Sequence, residues 1–181
     1  MIELSEIAQL RRPVMITAFE GWNDAADSAT DAIEALELAW SARHIGEIDP
    51  EDYYDFQVNR PSVAMIDGVS RRVTWPTSRI SLADPVPDRR DIILVRGLEP
   101  NMRWRSFCAE IIDAANRLGV DEVINLGALL SDSPHSRPVP VTGTAADRAT
   151  AQRLGLEQSR SEGPPGIVGV FNDACIQAGL P

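Results

Sequence analysis

Hydrophobic and polar positions along this chain follow two periods in turn. Val14–Phe19 is a short apolar run of strand length, and it passes through Glu20-Gly21-Trp22 into a segment opened by Asn23-Asp24. There Ala26, Ala29, Ile33, Leu36 and Trp40 recur at helical spacing, which predicts a helix over about Asp24–Ala42 with one apolar stripe facing a sheet. Asp24, Asp27 and Asp31 crowd its first turns, where the helix dipole favours negative charge. A strand that feeds a helix through a tight Gly turn is the first half of a β-α-β unit. In open α/β sheets the edge where such turns emerge is the edge that binds ligands.

The middle of the chain reads as β-rich. Tyr53–Val58 alternates, while Ser62–Met65 and Val69–Trp75 flank Asp67-Gly68, a strong hairpin signal. Antiparallel strands beside parallel ones predict a mixed sheet. Asp84–Arg90 is a turn-rich connector. Ile92–Val95 is a continuous apolar run, as in a central strand covered on both faces. Trp104, Cys108, Ile111, Ala115 and Leu118 then form a stripe predicting a helix over about Met102–Leu118, stopped by Gly119. Glu122–Leu130 predicts another buried strand and completes a right-handed crossover. Ser131–Thr142 is a proline-rich loop, Thr144–Leu154 reads as helical, Glu157–Pro165 as a polar loop and Ile167–Ala178 as a short helix.

Gly179-Leu180-Pro181 has the form of a helix end leading into another strand, so the chain reads as one domain, 1–181, truncated at its C-terminal side. The length allows one α/β domain with a sizeable core. Net charge is −10, and all 17 basic residues are arginine. No lysine is available for Schiff-base or P-loop chemistry. A chain this acidic repels phosphate backbones, and Arg71-Arg72 and Arg89-Arg90 are isolated pairs, so no nucleic-acid partner is expected. Neither a signal peptide nor a membrane span is present, which points to the cytoplasm, with Cys108 and Cys175 as reduced, buried thiols. Those cysteines, His44 and His135 lack metal-ligand spacing, and neither G-x-G-x-x-G nor G-x-x-x-x-G-K-[ST] occurs. No metal or other cofactor is expected.

Six stretches carry a family resemblance: F-E-G-W-N-D-A at Phe19–Ala25, D-F-Q-V-N-R-P at Asp55–Pro61, V-T-W-P at Val73–Pro76, G-x-E-P-N-x-R-W at Gly97–Trp104, L-G-A-L-L-x-D-x-P-H-S-R-P at Leu126–Pro138, and G-I-V-G-V-F-N-D-A-C at Gly166–Cys175. In that order they resemble the proteasome-assembly-chaperone-two (PAC2) family, in its actinobacterial branch. The resemblance implies a three-layer α/β/α domain with a mixed, mostly parallel sheet, similar to nucleoside phosphorylase and hydrolase-like folds. It implies a homo-oligomer and, as partners, proteasome α-type subunits. Family members that bind proteasome rings do so through a C-terminal hydrophobic–Tyr–X tail, which this chain lacks.

If the sheet is parallel as read, three connections leave one edge: Glu20–Asp24, Gly97–Arg103 and Ser131–Thr144. They bring Glu20, Gly21, Trp22, Asn23, Asp24, Arg96, Glu99, Asn101, Arg103, Asp132, His135, Arg137 and Thr142 toward one rim. Carboxylates, a histidine, arginines and helix N-termini together are what acid–base or anion-binding chemistry uses. Each also has a structural explanation. Asn23 or Asp24 is a good N-cap, which alone contributes about 1 kcal/mol. Glu20 can pair an arginine, Trp22 suits packing or an interface, and His44 suits a helix C-terminus. Thr142-Gly143-Thr144 opens a helix where an anion can sit, but Thr there needs no ligand. His135, in an exposed loop, shows no partner in sequence, and Ser131 and Ser133 lack the G-x-S-x-G elbow. Two functions therefore stand: a non-enzymatic assembly or scaffold protein, favoured because no catalytic constellation is complete, or an enzyme or binder of an anionic or nucleoside-like metabolite at the rim.

Overall fold

The computed structural model describes residues 2–83, 90–156 and 163–181. Its elements are β1 (Val14–Glu20), α1 (Ser28–Ala39), β2 (Arg43–Glu47), β3 (Ser62–Ile66), β4 (Ser70–Thr74), β5 (Arg79–Leu82), β6 (Ile92–Leu98), α2 (Trp104–Arg117), β7 (Glu122–Asn125), α3 (Arg148–Arg153) and α4 (Ile167–Gln177). Five strands form the main sheet in the order β2-β5-β6-β1-β7. β1 is parallel to β6 and β7, whereas β5 is antiparallel to both β2 and β6. Four strands thus point one way and β5 alone opposes them. Two of its four pairings are parallel and two antiparallel, so the sheet is mixed.

Alternation along β1 and β6 sends side chains to two cores. On one face Met15, Phe19, Ile93 and Val95 meet Phe107 and Ile111 of α2 and Ile167 and Phe171 of α4. Phe19 stands edge-on to Phe107 and Phe171, with ring centroids 5.6 and 6.3 Å away. On the other face Ala18 and Leu94 meet Ala29 and Ile33 of α1. Each large apolar side chain buried this way contributes roughly 1.5–3 kcal/mol. The helices flank the sheet as the three-layer expectation required.

The helix stripes at Ala29–Ile33 and Phe107–Ala115 are buried as their periodicity indicates. Other expectations need correction. Tyr53–Val58 is not a strand: a short 3-10 turn at Pro50–Asp52 leads into further turns, and Tyr53 and Tyr54 are both buried. The hairpin forms at Asp67-Gly68, both with positive φ, but among the described residues β3 and β4 pair only with each other. It is β5 that makes the main sheet mixed. β7 ends at Asn125, a partly exposed edge strand rather than a buried one. His44 lies in β2, not at a helix end. α3 begins at Arg148 because Asp147 accepts the Thr150 N–H at 2.8 Å, so Thr142-Gly143-Thr144 does not open a helix. The connector at 84–89 and the loop residues 157–162 lie outside the described residues.

Among the described residues, no helix is long and apolar enough to cross a membrane. Cys108 and Cys175 are free and buried in α2 and α4. Burial pushes the Cys108 thiol up to about 11 and the Cys175 thiol up to about 12.

Because only the thiolate reacts, both cysteines are expected to resist a thiol reagent in the native protein and to react together on unfolding. Labelling under native conditions and in denaturant, followed by mass spectrometry, checks this; fast native labelling of either would contradict it.

Candidate functional site

β1, β6 and β7 run in parallel, so their outgoing connections leave one edge of the sheet as the sequence indicated. The first of these connections is a tight turn built for close approach. Gly21 has φ +129°, a conformation open to glycine, and a Cβ there would stand 3.2 Å from the Glu99 side chain. The Glu99 N–H donates to the Glu20 carbonyl at 2.9 Å, and the Ala128 N–H donates to the Asn23 carbonyl at 2.7 Å. The turn is therefore stitched to both neighbouring connections.

Ala26 and Asp27 follow in the left-handed region, with φ 54° and 55°, so the chain reverses before α1 begins at Ser28. That reversal brings Asp24, only 4% exposed, under the first turn of α1. Its carboxylate accepts from the Ala29 N–H at 2.6 Å, from the Thr30 N–H at 3.2 Å and from the Thr30 hydroxyl. The Glu99 carboxylate does the same for the other helix at this rim, accepting the Ile167 N–H of α4 at 2.8 Å. Asn23 packs against Gly166, where any Cβ would overlap its carboxamide, and its buried Oδ1 has no hydrogen-bond partner among the described residues. Two helix N-termini thus converge here, and each already holds a carboxylate of the chain itself. These are the positions that an anionic ligand would use.

The remaining expected residues go elsewhere. Arg96 lies on the α1 face, paired with Glu34 at 3.0 Å and Glu37 at 3.3 Å rather than with Glu20. The Asn101 carboxamide oxygen accepts from the Asp55 N–H at 2.8 Å and from Asn59 at 2.9 Å, and Arg103 pairs with Asp52 and lies over the Tyr53 ring. These two fasten the 50–59 segment onto the β6–α2 turn. Trp22 is exposed, as are Asp132, His135, Arg137 and Thr142 in the long segment after β7. Among the described residues His135 has no hydrogen bond or ion pair to a carboxylate, and no three potential metal ligands cluster.

Sequence reading missed Thr30, Glu34 and Glu37, which complete the contacts of Asp24 and Arg96, because the left-handed pair before α1 leaves no pattern in the sequence. It also missed a cleft of about 680 Å³ between α1 and Trp75–Thr77, over β2 and β5, in which Glu20, Glu37, Glu47, Arg79 and Arg96 meet. Helix α1 packs chiefly on β1 and β6 and reaches β5 through Ser81, whose hydroxyl donates to Glu37 at 2.9 Å, while His44, Glu47 and Arg79 stay exposed in the cleft.

The Glu20 carboxyl is held above its ordinary value, first by burial and then by the nearby Asp27, against the pull of Arg96. A raised folded pKa adds stability that is present in acid and lost as pH rises through the folded value. Glu20→Gln is therefore expected to stabilise the fold at neutral pH and to change little well below pH 4.5, which urea titrations at both pH values check. Equal effects at both would contradict the assignment.

The profile of the PAC2 family matches residues 18–181. Among solved structures, a PAC2 family protein of Streptomyces avermitilis superposes with a TM-score of 0.89 at 52% identity, over 93% of this chain and 72% of that one. The proteasome-assembly chaperone homologue of Mycobacterium tuberculosis does so with 0.86 at 54% identity, over 93% of this chain and 71% of that one. PbaA of Pyrococcus furiosus, an archaeal homolog of proteasome-assembly chaperone, shares the fold with a TM-score of 0.65 at 17% identity, over 99% of this chain and 73% of that one. No curated protein matches. A profile match over nearly the whole chain, together with two superposing relatives above 50% identity, settles the kinship: this chain belongs to the PAC2 family.

Proposed function

We propose that the protein is a non-enzymatic assembly or scaffold protein of the cytoplasm, a chaperone for proteasome α-type subunits that works as a homo-oligomer. The observation that carries this reading is the amount of apolar side chain left in water on two extended pieces of chain. On the β3–β4 hairpin, Val63, Met65 and Val73 point to one side and are 59%, 55% and 50% exposed. Trp75 continues that side, its ring tilted against that of Phe56 with centroids 4.7 Å apart. In the segment after β7, Leu129, Leu130, Val139 and Val141 are exposed as well. Contiguous exposed apolar surface on a folded domain marks a protein-binding face. The Mycobacterium relative, a proteasome-assembly chaperone homologue 54% identical to this chain, supports the choice of partner class. Self-capped helix N-termini at the rim weigh against the anion-binding alternative.

The test is co-elution of the purified protein with proteasome α-type subunits of its own host on a sizing column. Wild type is expected to shift the subunits to a larger complex, and Leu130→Ser with Val141→Ser to weaken that shift. Absence of any shift with the wild-type protein would overturn the reading.

A further inference from the structure

We propose that the cleft over β2 and β5 receives the β3–β4 hairpin of a second copy of this chain. The inference rests on the assembly reading above and names one partner of its exposed surfaces.

The hairpin needs a partner on physical grounds. A lone two-stranded ribbon is marginally stable in water, and this one pairs with no strand of the main sheet. Its register places Val63 opposite Val73 and Met65 opposite Arg71, so one face is apolar with a guanidinium at its edge. The surrounding 60–74 segment carries Arg60, Arg71 and Arg72 against Asp67 alone, in a chain whose net charge is −10. Among the described residues those three arginines make no ion pair. The hairpin is thus a positively charged segment of an acidic chain.

The cleft has the complementary character. Glu20, Glu37 and Glu47 line it, and Glu34 sits beside them on Arg96. Four carboxylates thereby face the two guanidiniums of Arg79 and Arg96, and Asp27 and Asp31 add further negative charge around the start of α1. Its apolar lip is Leu38, 76% exposed on α1, facing Trp75 and Pro76. An apolar face edged by Arg71 matches a carboxylate-lined cleft with an apolar lip in both properties. Because Trp75, at the base of the hairpin, also forms a wall of the cleft, hairpin and cleft are neighbours on one molecule. Two copies can then exchange hairpins reciprocally, each surface being used once per chain, as in a two-fold contact.

The test uses full-length chains carrying Met65→Cys or Leu38→Cys. The native thiols, Cys108 and Cys175, are buried and stay silent. Under mild oxidation the mixture of the two variants is expected to form the inter-chain disulfide at least about tenfold faster than either variant alone. In sedimentation velocity, Arg71→Glu is expected to weaken self-association by about tenfold or more, and Glu47→Arg in the same chain to restore it. Circular dichroism confirms that each variant is folded. Equal cross-linking of Met65→Cys alone, which means hairpin against hairpin, would overturn the proposal, as would a monomeric wild type. Adding α-type subunits to the same samples separates the two readings. A monomer that still binds them ends hairpin exchange and leaves the assembly role standing. A hairpin-exchanged oligomer that ignores them supports exchange and ends that role.

Discussion

Asp24→Ala is expected to destabilise the protein by roughly 2–4 kcal/mol, a large share of the 5–15 kcal/mol typical of a domain. The reason is the position of the carboxylate, not its type. Asp24 is buried and takes both the Ala29 and Thr30 N–H groups and the Thr30 hydroxyl. Without it two helix-terminal donors stay inside the protein unpaired, a heavier loss than an exposed N-cap's about 1 kcal/mol. Asp27 supplies the internal control. It directly precedes α1 yet its side chain caps nothing, so Asp27→Asn, which keeps a residue tolerant of the left-handed backbone there, is expected within about 0.5 kcal/mol of wild type. Urea titrations of the two variants decide the matter, and equal losses would mean that Asp24 is an ordinary surface cap.

Gly97→Ala is expected to cost about 3 kcal/mol by overpacking. Gly97 lies in β6 directly beside Ser78, and a Cβ added there would stand 2.4 Å from the Ser78 Cα and 2.6 Å from its Cβ. A backbone atom cannot swing aside as a side chain does. Ser78 is also held from behind, since the Tyr54 hydroxyl donates to the Leu98 carbonyl at 2.8 Å and lies 3.1 Å from the Ser78 hydroxyl. Strand β5, and with it the wall of the cleft, would have to move away from β6. Thermal melts should show this loss alongside weakened burial of Tyr54. A variant as stable as wild type would contradict the close approach of the two strands.

How much of this was legible beforehand depends on whether a feature is periodic. β1, β6 and the buried stripes of α1 and α2 follow from apolar spacing, and the hairpin follows from Asp67-Gly68, because each is a local consequence of period or of φ. Tyr53–Val58 alternates yet forms turns, since Asn101 and Arg103, more than forty residues on, hold that segment in place. A distant tether leaves no mark on local pattern. Glu122–Leu130 reads as a buried strand because most of its residues are apolar, whereas the place of β7 at the sheet edge is a property of strand order.

The rim shows the same division. Sequence alone placed Glu20, Asn23, Asp24 and Glu99 on one edge, and the parallel strands put them there. Sequence could not show that Asp24 and Glu99 turn inward to the N-termini of α1 and α4, because that depends on the left-handed Ala26-Asp27 step and on where α4 returns. Nor could it separate Arg96 from the rim, since Glu34 and Glu37 claim it only once α1 has packed on β6. Among the described residues the hairpin and the segment after β7 keep apolar side chains in water, and that is the physical basis for the proposed assembly role.

Native mass spectrometry of the protein purified from its own host without denaturation tests that role most directly. Complexes holding two or more copies of this chain together with proteasome α-type subunits are expected. A homo-oligomer that carries a small molecule of defined mass and no second protein would contradict it.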